Sequence, residues 1–459
     1  PGLPRGGTVS NIEPSRHDNG TAYVTFDLHQ VNNRDPFVYK TTDYGRSWRS
    51  VSGDVPKSVH SYAHCVREDP VKRGLLYLGT ENALYFSPDD GQHWQPLQSG
   101  LPHAPVHWLT IQEHFNDLVV ATYGRGFFIL DDITPLRTLT AETLDEAAHL
   151  FPPRPAYRFR SITEPMTMPD DPTEGRSPPY GAAITFSLKA TPPDEMRENI
   201  KLVISDAAGK TVRTLDVGKE AAAGINRVWW DLRMDPTDEP KLRTPPQHVP
   251  DFALNKEGLR KLASAGQLSV LVAPGTYTVK LVAAGVERSA TLAVQKDPNT
   301  AGTSDDVAAQ TATMVAIRDG MNGTVGTINA AESVRAQLAS WRAVVGASAP
   351  KDVVNAADDL EKKIVEVEAR LFNLTATGRG QDFLRTPSQL LEKFAHLADV
   401  VSYADFTPTA SQLEVRDKLT QELAHSREQM DGVLARTLAT FNDLLRVHQL
   451  GTIVGPASK

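Results

Sequence analysis

Residues 41–48 read TTDYGRSW, and residues 87–94 read SPDDGQHW. Both octapeptides carry Ser or Thr first, Asp third, Gly fifth and Trp eighth: Thr41, Asp43, Gly45 and Trp48, then Ser87, Asp89, Gly91 and Trp94. Four matched positions in eight imply a repeat, and a repeat sets the architecture of the whole region. The residue types are those of a turn. An Asp accepts backbone N–H groups within a loop, a Gly takes positive φ at little steric cost, and a Trp opening the next strand buries a large ring.

Working outward, the first 140 residues align as three lines. TVSNIEPS, TAYVTF and FVYKTTDYGRSWRSV form the first, and YAHCVRED, LLYLGT and ALYFSPDDGQHWQPL the second. VHWLTIQE, DLVVAT and GFFILDDITPLRTL form the third, offset by 42 from the second, so that Thr80 falls on Thr122, Phe86 on Phe128 and Asp89 on Asp131. Short β-rich runs between turn residues read as strands. Four such strands in about 40–45 residues are the pattern of one propeller blade, with the octapeptide at the hairpin between its third and fourth strands. The third line keeps Asp131 but lacks the Gly and Trp, as a degenerate closing blade would.

The octapeptide resembles the Asp box of bacterial-neuraminidase-type (BNR) repeats. That resemblance implies a structural hairpin away from the ligand-binding face, so the eight box residues are expected to be structural. YLGTENALYFSPDDGQHWQPLQSGLP with DLVVATYGRGFFILDDITPL is similar to exported bacterial sortilin-like or BNR-repeat "glycosyl hydrolase" proteins, through the whole chain. The resemblance implies further blades in a missing N-terminal portion or a second chain, because three blades do not close a ring. It also implies a secreted, periplasmic or cell-surface location. The chain begins at Pro1, which reads as a processed or truncated product, so no signal peptide is visible.

Composition limits the alternatives. The net charge of −8 argues against a nucleic-acid partner. One cysteine, Cys65, excludes an internal disulfide framework and reads as buried and inert. No apolar run is long enough for a membrane span. Four regions follow the blades of residues 1–139. Residues 140–180 are an extended Pro-rich connector. Residues 181–297 carry strand patterns of an Ig- or fibronectin-like β-sandwich, interrupted by an insertion at 232–270 with a short helix expected near 255–264. Adjacent Trp229 and Trp230 must face opposite ways on a strand. From residue 303 to 450 the apolar period becomes helical and predicts an up-down four-helix bundle, with Ser304 capping the first helix and Thr386–Pro387 opening the third. Gly320, Gly323 and Gly326 are expected to weaken the first of these helices. Residues 451–459 are a tail. The fold class is thus multidomain β plus α.

Candidate chemistry is sparse. Glycosidases commonly need paired carboxylates, and Asp18, Asp27, Glu68, Glu81, Glu113, Asp131 and Asp132 are candidates on blade loops, without a pairing legible in sequence. Arg34, Arg125 and Arg137 are the arginines available to a substrate carboxylate. His60 and His64 would suit zinc on a helix, but the segment leads into a strand and separates them by about 13 Å; no metal and no cofactor is expected. Tyr123 and Arg125, in the Gly-rich YGRGFF stretch, sit on a loop able to line a propeller mouth. Asn19, Asn322 and Asn373 fit the glycosylation sequon, unused in a bacterial protein. The reading is recognition of a glycan, peptide or protein through the propeller surface, with the later domains as scaffold. Two alternatives stand beside it: a glycoside hydrolase whose catalytic residues lie mostly in missing blades, and a structural subunit of a surface assembly.

Overall fold

The computed structural model describes residues 2–98, 100–159, 175, 177–262, 266–377 and 386–455. It divides into one unit of residues 1–156, 162–231 and 276–293, and a second of residues 157–161, 232–275 and 294–459.

The first unit opens with three antiparallel sheets in chain order. Strands β1 (Thr8–Pro14), β2 (Ala22–Leu28), β3 (Asn33–Thr41) and β4 (Arg49–Ser50) form the first, in the order β1-β2-β3-β4. Strands β5 (Ala63–Glu68), β6 (Leu76–Thr80), β7 (Leu84–Ser87) and β8 (Gln95–Pro96) form the second in the same sequential order. The third has β9 (Val106–Gln112), β10 (Asp117–Thr122) and β11 (Gly126–Leu130), with β10 central. Strand β5 packs against β1 and β2 on one side and β9 on the other, because its alternate residues point opposite ways. Val66 joins Tyr23, Val38, Leu76, Leu78 and Trp94 in the layer shared with the first sheet. Cys65 joins Tyr77, Phe86, Val106, Leu109 and Val120 in the layer shared with the third. Burying a Val or Leu side chain in such a layer contributes about 1.5–3 kcal/mol.

The third sheet ends differently from the first two. After β11 the chain enters helices α1 (Thr134–Thr138) and α2 (Ala141–Asp145) where the repeat would place a fourth strand. Asp132, at φ 51°, closes β11 by accepting from the Thr134 amide at 3.2 Å and hydroxyl at 2.5 Å. Without the Gly and Trp of the octapeptide, the local preference is a helix entry supported by Pro135 in the first turn.

The rest of this unit is two further sheets. Strand β12 (Ala148–Leu150) comes from the Pro-rich connector and pairs with β14 (Ala182–Leu188), which pairs in turn with β17 (Gly224–Trp230). Strand β13 (Ala156–Arg158) follows β12 in the chain. The second sheet places β19 (Val286–Lys296), β18 (Gly275–Ala283), β15 (Lys201–Ser205) and β16 (Thr211–Asp216) side by side, with helix α3 (Asp194–Arg197) before β15. Trp230 is fully buried with its ring edge-on to Tyr277 at 5.6 Å, while Trp229 on the other face is half-buried. Connector residues 160–174 and 176 lie outside the described residues.

The second unit is helical. Helix α4 (Ser304–Val345) is followed by α5 (Lys351–Leu371), α6 (Leu390–Ser402) and α7 (Ala410–Gly432), which continues through a π-turn at Val433–Thr437 into α8 (Leu438–Val447). The cap of α4 is Thr303 rather than Ser304, in a reciprocal pair with Asp306. Helix α6 starts at Leu390 behind Gln389, not at Thr386–Pro387, because Gln389 and Glu392 complete the same kind of pair. Helix α4 runs unbroken through its glycines, and two of them are close-approach points. A Cβ at Gly320 would lie 2.7 Å from the Phe394 ring, and one at Gly323 3.0 Å from Leu423. Residues 232–275 belong with these helices. The Asp238 and Lys241 amides donate to Asn322 and Asn329, and Thr244 donates from amide and hydroxyl to buried Glu332 at 2.8 and 2.7 Å. The helix expected near 255–264 is replaced, over its described part, by a turn in which Asn255 accepts from the Glu257 and Leu259 amides; residues 263–265 lie outside the described residues. No helix among the described residues is long and apolar enough to cross a membrane.

Candidate functional site

The pairing registers give each of the first sheets two distinct edges. Thr41 lies opposite Ala22 and Ser87 opposite Leu76, so both octapeptides cap the edge where β2 and β6 begin. Their hairpins are closed by side chains. The Thr41 hydroxyl accepts from the Gly45 amide at 2.9 Å and donates to Asp43, whose carboxylate accepts from the Ser47 amide at 2.9 Å and hydroxyl at 2.6 Å. Ser87, Asp89, Gly91 and His93 repeat this, with His93 Nδ1 2.6 Å from Asp89. Gly45 and Gly91 take φ of 84° and 81°, each preceded by a second left-handed residue, Tyr44 or Asp90. The Ser47 hydroxyl and amide hold the Asp43 carboxyl down at about 2. The Thr41, Asp43, Ser87 and Asp89 side chains are thus engaged within their own turns.

The opposite edge is built otherwise. Thr80 lies opposite Ala63, Thr122 opposite Val106, and Asp27 opposite Thr8. The ladder slips by one residue between Ala63 and Cys65, and again between Val106 and Trp108. The extra residues are His64 and His107. A β-bulge releases its extra residue from the alternation of the strand and re-aims its side chain. Here two bulges at matching places bring both imidazoles together, with ring centroids 4.2 Å apart. Glu81, one residue past Thr80, meets His64 Nε2 at 2.8 Å.

Further rings extend this pair along the edge. Tyr123, one residue past Thr122, stacks on His107 at 5.4 Å. Tyr62 stands edge-on to His64 at 5.3 Å and stacks on His29 at 4.9 Å, and His29 Nδ1 rests on Asp27 at 2.6 Å. The order along the edge is His29, Tyr62, His64, His107, Tyr123, drawn from all three sheets. Burial, and then the neighbouring Glu81 carboxylate, push the Tyr62 hydroxyl up to about 12, so it stays protonated. Burial and the neighbouring His64 hold His107 below the usual imidazole range, against the pull of Glu81. Tyr123 is 72% exposed, so one end of the row opens to solvent.

The candidate acids separate under this geometry. Asp27 and Glu81 share the ringed edge. Glu68 is buried, accepting from the Tyr23 hydroxyl and the Gly74 amide. Asp18 accepts from the Gly20 amide and Arg73, and Glu113 pairs with Arg16 on the surface. Asp132 closes β11, and burial together with Asp117 pushes the Asp131 carboxyl upward. Arg137 is committed to buried Asp69 and to Asn116. The Arg34 carbonyl accepts from Ser61, and its charge acts on Tyr62. Arg125 is exposed in the turn beside Tyr123, and His60 is exposed in the turn before β5. Burial pushes the Cys65 thiol up to about 12. His29, Tyr62 and His107 were not singled out from sequence; Glu81 and Tyr123, the residues just past Thr80 and Thr122, were, and they are the ones that reach the edge from the neighbouring strands.

No family model and no curated protein sequence matches the chain. Among solved structures it is similar to a GH74 enzyme of Niastella koreensis, at 12% identity and a TM-score of 0.24, over 62% of this chain and 46% of that one. It is also similar to a GH74 xyloglucanase from Xanthomonas campestris, at 16% identity and a TM-score of 0.23, over 63% of this chain and 49% of the other. The chain spans about half the length of these solved chains.

Proposed function

We propose that the first three sheets are the last blades of an Asp-box propeller and that their ringed edge recognises a glycan. The observation that carries this is the five-ring row with Asp27 and Glu81 between its members. Ring faces offer flat apolar surface to the C–H faces of sugars, and carboxylates offer paired acceptors to hydroxyls, which is the mix of a few placed polar groups on an apolar lining that ligand sites use. In this reading both carboxylates position rather than catalyse, since Asp27 is engaged by His29 and Glu81 by His64. Residues 140–180, the Ig-like sandwich of 181–297 and the four-helix bundle of 303–450 serve as connector and scaffold of an exported protein.

The outer faces of the first and third sheets support the partner reading. Ile12 is 62% and Phe127 78% exposed, and such apolar faces on a sheet mark an interaction surface. Further blades, from an N-terminal portion or a second chain, would cover them. The test is an oligosaccharide array probed with the 459-residue chain and its Tyr62→Phe and Tyr123→Ala variants. Retention of a defined glycan class by the wild type, weakened in both variants, is expected. Retention unchanged in both variants, or no retention of any glycan, overturns the reading; hydrolysis of the retained glycan favours the hydrolase alternative.

A further inference from the structure

We infer that His64, Glu81 and His107 form a three-ligand site for a zinc-class divalent transition-metal ion. Each offers one ligand atom, and these atoms lie within 4.8 Å of one another. Among the described residues no other trio of His, Cys, Asp or Glu is grouped this closely. Metal–ligand bonds of about 2.0–2.2 Å put tetrahedral ligand atoms roughly 3.4 Å apart, so side-chain rotation of about 1 Å closes the set without moving a strand. Two imidazoles and one carboxylate favour zinc, copper or nickel over calcium or magnesium, which prefer all-oxygen shells.

The backbone supports this donor set better than chance proximity would. His64 and His107 are the bulge residues of two neighbouring strands at matching register, and Glu81 follows the residue opposite the first bulge. The Tyr62 ring stands edge-on to the His64 imidazole at 5.3 Å and limits its rotation, as outer-shell neighbours of metal ligands do. Tyr62 is itself held by the His29 ring and, through it, Asp27. Cys65, though adjacent to His64, points its sulfur toward the Val106 carbonyl in the core and does not join. His107 lies on the exposed side. Three protein ligands with solvent beyond them leave a position for a water or a ligand oxygen, the arrangement of reactive rather than purely structural zinc sites. The site stands on these three side chains and not on what the edge recognises.

The test uses the chelator-stripped 459-residue chain titrated with zinc by calorimetry and with cobalt by ligand-field absorption. One zinc per chain and a four-coordinate cobalt spectrum are expected. His64→Ala and His107→Ala should each weaken zinc by about 100-fold or more. His60→Ala should change nothing. Circular dichroism checks folding, and His107→Gln replaces a variant that fails it. The inference is overturned by absence of stoichiometric zinc, or by zinc that persists in the His64/His107 double variant. Oligosaccharide retention is read separately. Zinc without glycan binding upholds this site and sinks the glycan reading, whereas glycan binding without zinc does the reverse.

Discussion

The two octapeptide hairpins share the hydrogen bonds of their Ser/Thr and Asp side chains but differ in their surroundings. Trp94 is 5% exposed, and its indole N–H donates to the Val51 carbonyl of the preceding sheet at 3.0 Å while its amide donates to Asp54. Trp48 is half-buried and returns its indole N–H to Gly45 of its own turn. Asp90 receives the Tyr23 hydroxyl, Lys40 and Arg49 from the first sheet, whereas Tyr44 at the matching position is 75% exposed. The motif therefore specifies the turn, and the neighbouring sheet determines how firmly that turn is held.

The largest expected effect is at the tryptophans. Trp94→Ala should cost about 3–5 kcal/mol, because it opens a cavity in a packed layer. Trp48→Ala should cost about 1–2 kcal/mol, reflecting partial burial. Hydrogen exchange across 76–96 and 33–50 reads both, and equal losses would erase the distinction.

Next come the glycines. An alanine Cβ at 91 would sit 2.5 Å from the Val51 carbonyl oxygen, whereas at 45 the nearest atom is in the Trp48 ring at 3.7 Å. Gly45→Ala should cost only the left-handed backbone penalty of about 1–2 kcal/mol. Gly91→Ala adds about 1–3 kcal/mol of overpacking. Parallel melts of the two variants decide this.

Asp90→Ala should cost about 1–3 kcal/mol, since it removes the carboxylate partner of Lys40 and leaves the Tyr23 hydroxyl with Glu68 alone. Tyr44→Ala should stay within about 0.5 kcal/mol, as exposed positions do. A deficit at Tyr44 matching that at Asp90 would mean the turn, not the neighbour, sets stability.

The smallest effect is in pH. The hydrogen bond and charge of Asp89 raise His93 above its ordinary 6.5. That contribution is full below pH 6.5 and is lost as pH rises past the elevated value. Asp43 is held down at about 2 from 3.8 by uncharged Ser47. Its contribution is full above pH 3.8 and is lost only as pH falls through about 2. Raising the pH from 6 to 9 should therefore quicken amide exchange at His93 and leave Ser47 unaffected beyond the intrinsic base-catalysed rate. A matching response at both amides would contradict the assignment.

Much of this was legible because turn chemistry is local. Ser/Thr, Asp and Gly close a hairpin with their own side chains, so the eight letters suffice to locate it. The third line lacked those letters, and the chain became helix there. Helix α4 needed only periodicity, yet its cap moved to Thr303 because Asp306 answers that residue's amide and hydroxyl. The ringed edge was harder. Tyr123 was named from its loop, but His64 was read with His60, four residues away in sequence, instead of His107, which is brought beside it by the packing of β9 on β5. A bulge is a property of two strands together, and no single run of letters announces it.

The inserted residues of β5 and β9 lie outside the alternation that fills the layers on either side, and they pack on the rings of the edge instead. A lineage could exchange the side chain at 64 or 107 and change what the rim offers to solvent while every residue beneath keeps its place. Chemistry and architecture would then drift separately, and two proteins sharing this scaffold need share nothing at those two positions.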